Sequence, residues 1–292
     1  MRHDTIPLNG IDLHVATLGA GPPLVLLHGW PEFWLTWEPV MRRLADRFTC
    51  IAPDLRGFGL SADREPGPSD RVGPEVHAND VTALLDALRI ERAGFVAHDV
   101  GAYVAQVLGR QSPERCTGLF FFDCPYPGIG PRLAQPDHLA EIWYQSFHLK
   151  PFAAELAAAS RQACRLYIGH FLRHWAGPNP HAFDDVLEAF VDAFLRPGIM
   201  QGGFNWYLSQ QEARLAMLKG EAPPPDPIAV PACIRWPEAD PLFPYAWTDR
   251  LPTFFSDLDL APMPSAGHFP HREKPDAAAA EIARFFGRVH AA

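Results

Sequence analysis

The sequence predicts an α/β protein: a mostly parallel central sheet flanked by helices and interrupted by an inserted helical segment. Three observations carry this reading. Short apolar runs alternate with longer helix-like stretches up to Phe122, no comparable strand run occurs from Tyr126 to Gly220, and the alternation resumes at Ala232.

The elements follow in order. Met1-Arg2-His3-Asp4-Thr5 leads into a polar strand-like segment, and Ile11 to Thr17 and Leu24 to Leu27 read as strands. Trp34 to Arg47 has helical spacing, and Thr49 to Ala52 is a short buried strand ending at Pro53-Asp54. Val76, Val81, Leu84, Leu85 and Leu88 recur at helical intervals, then Gly94 to Ala97 is a strand. Val100 to Arg110 returns to helix, and Gly118 to Phe122 is an apolar strand. Pro151 to His174 and Ala182 to Phe194 are helix-like stretches of the insertion. The Pro223-Pro224-Pro225-Asp226-Pro227 stretch returns the chain to strands at Ala232 to Trp236 and Asp257 to Leu260, and to a last helix over Asp276 to Phe286.

Composition narrows the function classes. With 34 acidic against 25 basic residues the formal charge is −9, and no Lys/Arg cluster offers a nucleic-acid footprint. The cysteines Cys50, Cys116, Cys124, Cys164 and Cys233 have no metal-type spacing and read as reduced thiols. No apolar run approaches the roughly 18 residues of a membrane span, and no apolar leader opens the chain. These features predict a soluble, cytoplasmic protein whose partner is a small molecule. Oligomeric state stays open, a homodimer included.

The segment Gly94-Phe95-Val96-Ala97-His98-Asp99-Val100-Gly101-Ala102-Tyr103 has the layout of a nucleophile elbow: a strand, a polar residue on a sharp turn, then a helix. The small residues Ala97, Gly101 and Ala102 allow close approach of chain and substrate. A helix-capping Asp99 would look the same locally. Features elsewhere decide: His28-Gly29-Trp30-Pro31 follows an early strand, Trp236-Pro237-Glu238-Ala239-Asp240-Pro241 follows another, and Ser265-Ala266-Gly267-His268-Phe269-Pro270 follows the last. Nucleophile Asp99, acid Asp240 and base His268 thus stand in a familiar chain order, each at a strand end.

These motifs resemble the α/β-hydrolase superfamily, and His-Gly-x-Pro with an aspartate nucleophile is similar to its epoxide hydrolase and dehalogenase branches. The resemblance covers Leu24 to Phe286. It implies an α/β-hydrolase fold with a core of residues 1–124 and 223–292 and a helical cap of residues 125–222. It also implies an oxyanion hole from the backbone N–H groups of Trp30 and Val100.

A carboxylate attacking an ester would give a mixed anhydride, whereas attack on an sp³ carbon gives an ordinary alkyl ester that water can hydrolyse. The substrate should therefore carry its leaving group on carbon, as an epoxide or a halide. An opened epoxide oxygen needs a proton, which a phenol of pKa about 10 supplies. Epoxide hydrolases of this type use two cap tyrosines. Their segments match Glu141-Ile142-Trp143-Tyr144-Gln145-Ser146-Phe147 and Gly202-Gly203-Phe204-Asn205-Trp206-Tyr207, giving Tyr144 and Tyr207. Haloalkane dehalogenases carry Trp after the nucleophile, and haloacetate dehalogenases carry Arg there and three residues later. This chain has Val100 and Tyr103, which favours the epoxide, a small apolar one given the aromatic cap.

The alternatives are a dehalogenase in which Trp30 or Trp143 and the tyrosines bind halide, and a catalytically silent ligand-binding relative. The second has no reason to keep Asp99, Asp240 and His268 together, and an esterase would need the missing elbow serine. Asp123, also at a strand end, is a rival to Asp240 as the acid. His98 is expected to be structural and His271 to lie at the surface. His170 and His174 lack a third metal ligand, and Gly57-Phe58-Gly59-Leu60-Ser61-Ala62 is followed by a loop (63–68), so no metal, dinucleotide or other cofactor is expected. Trp143, Phe147, Phe204 and Trp206 are expected in the cap core, with one or two lining a pocket.

Overall fold

The computed structural model describes residues 1–61, 71–221 and 224–291, so the expected loop at 63–68 and the boundary at 222/223 lie outside the described residues. Eight strands form one sheet: β1 (Arg2–Leu8), β2 (Ile11–Leu18), β3 (Pro23–Leu27), β4 (Thr49–Pro53), β5 (Ala93–His98), β6 (Cys116–Phe122), β7 (Ala232–Pro237) and β8 (Leu258–Met263). Their spatial order is β1-β2-β4-β3-β5-β6-β7-β8. β1 and β2 pair antiparallel, as do β2 and β4, and every later pairing is parallel.

The near-continuous apolar runs of the central strands follow from burial on both faces. Val25 and Leu27 of β3 and Leu119 and Phe121 of β6 face one core, while Leu24, Leu26, Phe120 and Phe122 face a second. The second core is closed by α1 (Glu38–Leu44) and, after β8, by the last helix of the chain, through Val40, Met41, Leu44, Ile282, Phe285 and Phe286. The first core is closed by α2 (Pro74–Ala87) and α3 (Val100–Gln111).

Between β6 and β7 the described residues form helices, turns and one isolated bridge of Ile228 to Phe255, but no strand: α4 (Pro136–Leu139), α5 (Trp143–His148), α6 (Ala153–Ala157), α7 (Arg161–His174), α8 (Leu187–Phe194) and α9 (Ile199–Lys219), after a 3₁₀ stretch at Pro127–Ala134. The chain ends with α10 (Pro270–Glu273) and α11 (Pro275–Val289). Among the described residues no helix is long and apolar enough to cross a membrane, and all five cysteines are free and buried.

Three helical stretches differ from expectation. Trp34 to Arg47 is a 3₁₀ turn (Trp34–Trp37) followed by α1, because Pro39 is tolerated only in the first turn of a helix. Pro151 to His174 divides at Ser160, whose hydroxyl accepts from the Ala163 N–H at 3.1 Å and starts α7 afresh. The third begins at Leu187 rather than Ala182, after turns around Asn179 and Pro180.

Candidate active site

Asp99 sits between β5 and α3 with φ 48° and ψ −111°, a conformation costly for a side-chain-bearing residue. The turn persists because its neighbours leave no alternative. The Gly101 N–H donates to the His28 carbonyl at 3.0 Å, and the Ala102 N–H donates to the Asp99 carbonyl at 3.0 Å. A Cβ on Gly101 would strike the Leu27 carbonyl, and a Cβ on Gly29 would lie 2.5 Å from that of Asp99. Glycine at these two positions is a requirement of close approach.

The Trp30 N–H donates to Asp99 Oδ1 at 2.9 Å. Val100 is the first residue of α3, where an amide has no intrahelical acceptor. The Asp99 carboxylate, with the Trp30 N–H on one oxygen and the free first-turn amide of Val100 next in the chain, lines a cavity of about 500 Å³.

The opposite wall comes from the helical segment. Tyr144 of α5 and Tyr207 of α9 line the same cavity as Asp99, with ring centroids 5.7 Å apart and planes at 89°. The Trp30 indole holds both: Tyr144 stacks on it at 5.6 Å, and Tyr207 meets it edge-on at 5.8 Å. Gln145 Nε2 donates to the Tyr144 hydroxyl at 3.1 Å. Burial, then the charge of Asp99, pushes the Tyr144 phenol up. Burial, with Tyr144 and Asp99 nearby, does the same for Tyr207. Both phenols keep their protons across the physiological range.

His268 is fully buried. Its Nδ1 lies 2.9 Å from Asp240 Oδ2 and 3.6 Å from Asp123 Oδ2, and its Nε2 has no hydrogen-bond partner. Asp240 Oδ1 accepts from the Leu242 N–H at 2.7 Å. Burial disfavours the imidazolium, but Asp240, with Asp123 and Asp99 behind it, outweighs this and raises the pKa to about 10. Asp123 makes no hydrogen bond through either oxygen, and burial followed by the charge of Asp240 holds its pKa well above the usual carboxylate range. Of the two candidate acids, Asp240 is the one hydrogen-bonded to the histidine.

A carboxylate missed in the sequence lies beneath these groups. Glu32, fully buried, accepts from the Gly29 N–H at 2.9 Å and the Thr36 hydroxyl at 2.6 Å, and pairs with His98 Nδ1 at 2.7 Å and His271 Nε2 at 2.8 Å. Burial would raise its pKa, but His98 and His271 reverse this and hold it well below the ordinary value. The other nitrogen of His98 meets the His268 carbonyl at 2.7 Å. His98 is thus the structural residue expected, whereas His271 is not at the surface: it is fully buried, and burial lowers its pKa to about 4. The available signal was a carboxylate just past His28-Gly29-Trp30-Pro31 and two histidines in the other strand-end loops that lacked a role.

Two triplets, Glu32/His98/His271 and His98/Asp123/His268, bring ligand-type atoms within 4.8 Å of one another. Both nitrogens of the shared His98 face acceptors, so neither offers a lone pair to a cation. His174 Nε2 pairs with Glu141 at 2.7 Å while its ring stacks on that of His170 at 5.4 Å. Of the four cap aromatics, Phe204 and Trp206 are buried, and Trp206 lines the cavity. Trp143 is 45% exposed rather than core, because α5 turns Tyr144 inward and leaves its neighbour over Phe171. His148, also missed, packs behind Tyr207 at 4.4 Å and pairs with the Tyr167 hydroxyl at 2.7 Å.

The family model described as the alpha/beta hydrolase fold matches residues 22–275. The soluble epoxide hydrolase of Corynebacterium sp. (strain C12) is 30% identical over 98% of this chain and 97% of its own length. Epoxide hydrolase 1 of Caenorhabditis elegans is 25% identical over 97% of this chain and 70% of its own. Among solved structures, epoxide hydrolase CorEH without ligand superposes with a TM-score of 0.83 at 27% identity, covering 99% of each chain. Wild-type Cfl2 from Burkholderia cenocepacia superposes at 0.82 and 29%, covering 97% of this chain and 95% of its own.

Removing Glu32 should destabilise the fold before it alters any group that meets a ligand. Glu32→Ala removes the carboxylate partner of two buried imidazoles and leaves the Gly29 N–H unpaired, so urea unfolding should show a loss of about 3–5 kcal/mol. A loss below about 1 kcal/mol would mean that the loops are held by something else.

Proposed function

This chain belongs to the epoxide hydrolases of the α/β-hydrolase family, and we propose that it opens its epoxide through a covalent ester on Asp99. Residues 1–124 and 223–292 form the catalytic core and 125–222 the cap, whose tyrosines cover the nucleophile. What most supports the reading is that Asp99 is held at positive φ with the Trp30 N–H on its carboxylate, across a cavity from Tyr144 and Tyr207.

Tyr144 and Tyr207 hydrogen-bond the epoxide oxygen, and an Asp99 oxygen attacks a ring carbon from the far side. The C–O bond breaks, the oxygen takes a proton from a phenol, and a β-hydroxyalkyl ester of Asp99 remains. His268, oriented by Asp240, then takes a proton from water as that water attacks the ester carbonyl carbon. The N–H groups of Trp30 and Val100 hold the tetrahedral oxyanion, each worth about 3 kcal/mol in comparable sites. Collapse of the intermediate passes its hydroxyl proton to the leaving oxygen, releases a vicinal diol and returns the Asp99 carboxylate, and the proton held by His268 then passes back to the phenolate. The scheme calls on no metal or organic cofactor, and the leaving group needs the phenolic proton that a halide would not.

The order of charges gives the histidine its timing. In the resting site the Asp240 carboxylate, and Asp99 beyond it, favour the protonated form of His268. Esterification removes the charge of Asp99, which lowers the imidazole pKa when a base is required.

In a single turnover in ¹⁸O-labelled water, with enzyme in excess over styrene oxide, the diol should carry unlabelled oxygen from Asp99. Labelled diol would mean direct attack by water, and halide release from haloalkanes without any diol would move the chain to the dehalogenases. Asp240→Asn should lower kcat roughly a hundredfold to ten-thousandfold, while Asp123→Asn, replacing a carboxyl already neutral, should cost less than about tenfold. The opposite ranking would move the acid to Asp123. Because a protonated His268 cannot act as a base, ester hydrolysis should slow as pH falls. Rapid quench with intact mass measurement should find more alkyl-enzyme at about pH 6 than at about pH 9; more at the higher pH would exclude His268 as the base.

A further inference from the structure

The cavity that holds Asp99 and the two tyrosines continues along α9 to a polar end. Tyr207, Gln210, Gln211, Arg214 and Leu218 recur at i, i+3, i+4, i+7 and i+11, so one stripe of α9 lines it from the tyrosine outward. Seven residues of helix carry Arg214 about 10 Å along the axis from Tyr207. Leu133, Leu149, Trp206, Leu215 and Phe243 give the same cavity an apolar lining beside these polar groups.

Arg214 differs from the other partly buried arginines among the described residues, Arg110 included, which donates to the Asp226 and Gln106 carbonyls. Arg56 has Asp80, Arg235 has Asp259 and Glu281, and Arg272 has Asp185. Arg214 is only partly exposed yet makes no hydrogen bond or ion pair among the described residues. It is the one arginine or lysine among the described residues lining the cavity, and Asp99 is the one carboxylate. Its charge acts on the Tyr103 and Tyr144 phenols, opposing the upward push of burial. Gln145 and Gln211 place further side-chain amides on the same wall.

We propose that the substrate is an amphiphilic epoxide with a carboxylate at its far end, bound by Arg214 while the ring lies between Asp99 and the tyrosines. This rests on the epoxide reading above. A guanidinium pairs two parallel N–H donors with a planar carboxylate, and a lone cation balances a monoanion rather than a phosphate dianion. The apolar residues of the lining can pack against an alkyl chain, and placing the anion far from the ring keeps it clear of the Asp99 charge.

The test compares a medium-chain terminal epoxy acid with its methyl ester, with styrene oxide as a third substrate. The wild type should show a KM roughly tenfold lower for the acid than for the ester, and the difference should shrink with added salt. Arg214→Gln should bring the two KM values together, Arg214→Lys should keep most of the difference, and Arg214→Glu should reverse it. Thermal melting checks that each variant is folded. If Arg214→Gln does not fold, the wild-type ratio and its salt dependence decide. Wild type that turns over styrene oxide but treats acid and ester alike overturns the Arg214 assignment and leaves the epoxide reading standing, as does an Arg214→Gln variant that keeps the preference. Wild type that opens none of the three overturns both.

Discussion

Glu32 accepts from the Gly29 N–H, pairs with His98 at the end of β5, and pairs with His271 in α10 beyond β8, so one buried carboxylate joins the loops after three strands. The loop after β3 presents the Trp30 N–H, the turn after β5 presents Asp99, and the loop after β8 presents His268, whose carbonyl is also tied to His98. A buried ionised group is tolerated only when it is paired and its lone pairs are filled, and Glu32 meets both conditions. The proposed chemistry needs those loops in register to within a fraction of an ångström. The sheet brings their ends near one another, and the Glu32 network fixes their relative placement.

Above this network the charges are balanced against one another. Three carboxyl groups, Asp99, Asp123 and Asp240, surround one fully buried imidazole, with Asp99 on the cavity side. They cannot all be ionised together: Asp123, which has no hydrogen-bond partner, keeps its proton, and Asp240, held by Leu242 and His268, takes the ion-pairing role. Distance alone separates them little, 2.9 Å against 3.6 Å. Hydrogen bonding makes the distinction. Asp123 thus remains a neutral carboxyl within reach of the histidine, and any change at Asp240 would act on its proton.

The sequence announced the parts of this site that local physics controls. Strands buried on both faces appear as unbroken apolar runs, and Asp99 stands out because glycine and alanine flank a polar residue at the end of one. Asp240 and His268 are legible for the same reason, each following a strand. What stayed hidden depends on contacts between residues far apart in the chain. His271 looks like an exposed residue in a polar turn until it meets Glu32, 239 positions away. Trp143 and Tyr144 are adjacent aromatics that no composition rule separates, and the direction of α5 alone turns one inward. The extent of α9 was equally hidden, because Gln210, Gln211, Glu212 and Arg214 break up its apolar pattern and its place as a wall emerges only from what it faces.

That wall divides the labour of the molecule. Groups proposed for bond making stand on rigid sheet ends beneath fully buried packing, where a shift of one residue would strain the whole core. The cap contributes helices whose inward stripe can change without touching the sheet, and α9 carries both kinds of position on one face: Tyr207 at the proposed oxygen site and Arg214 two turns beyond. Since a helix fixes the rise between them, the distance from reacting ring to anchored charge is set by backbone geometry rather than by side-chain choice. A substitution at 214 would alter which molecules are held, and one at 207 would alter what happens to them. Selectivity and chemistry are thus coupled through a single rigid element while remaining separable by mutation.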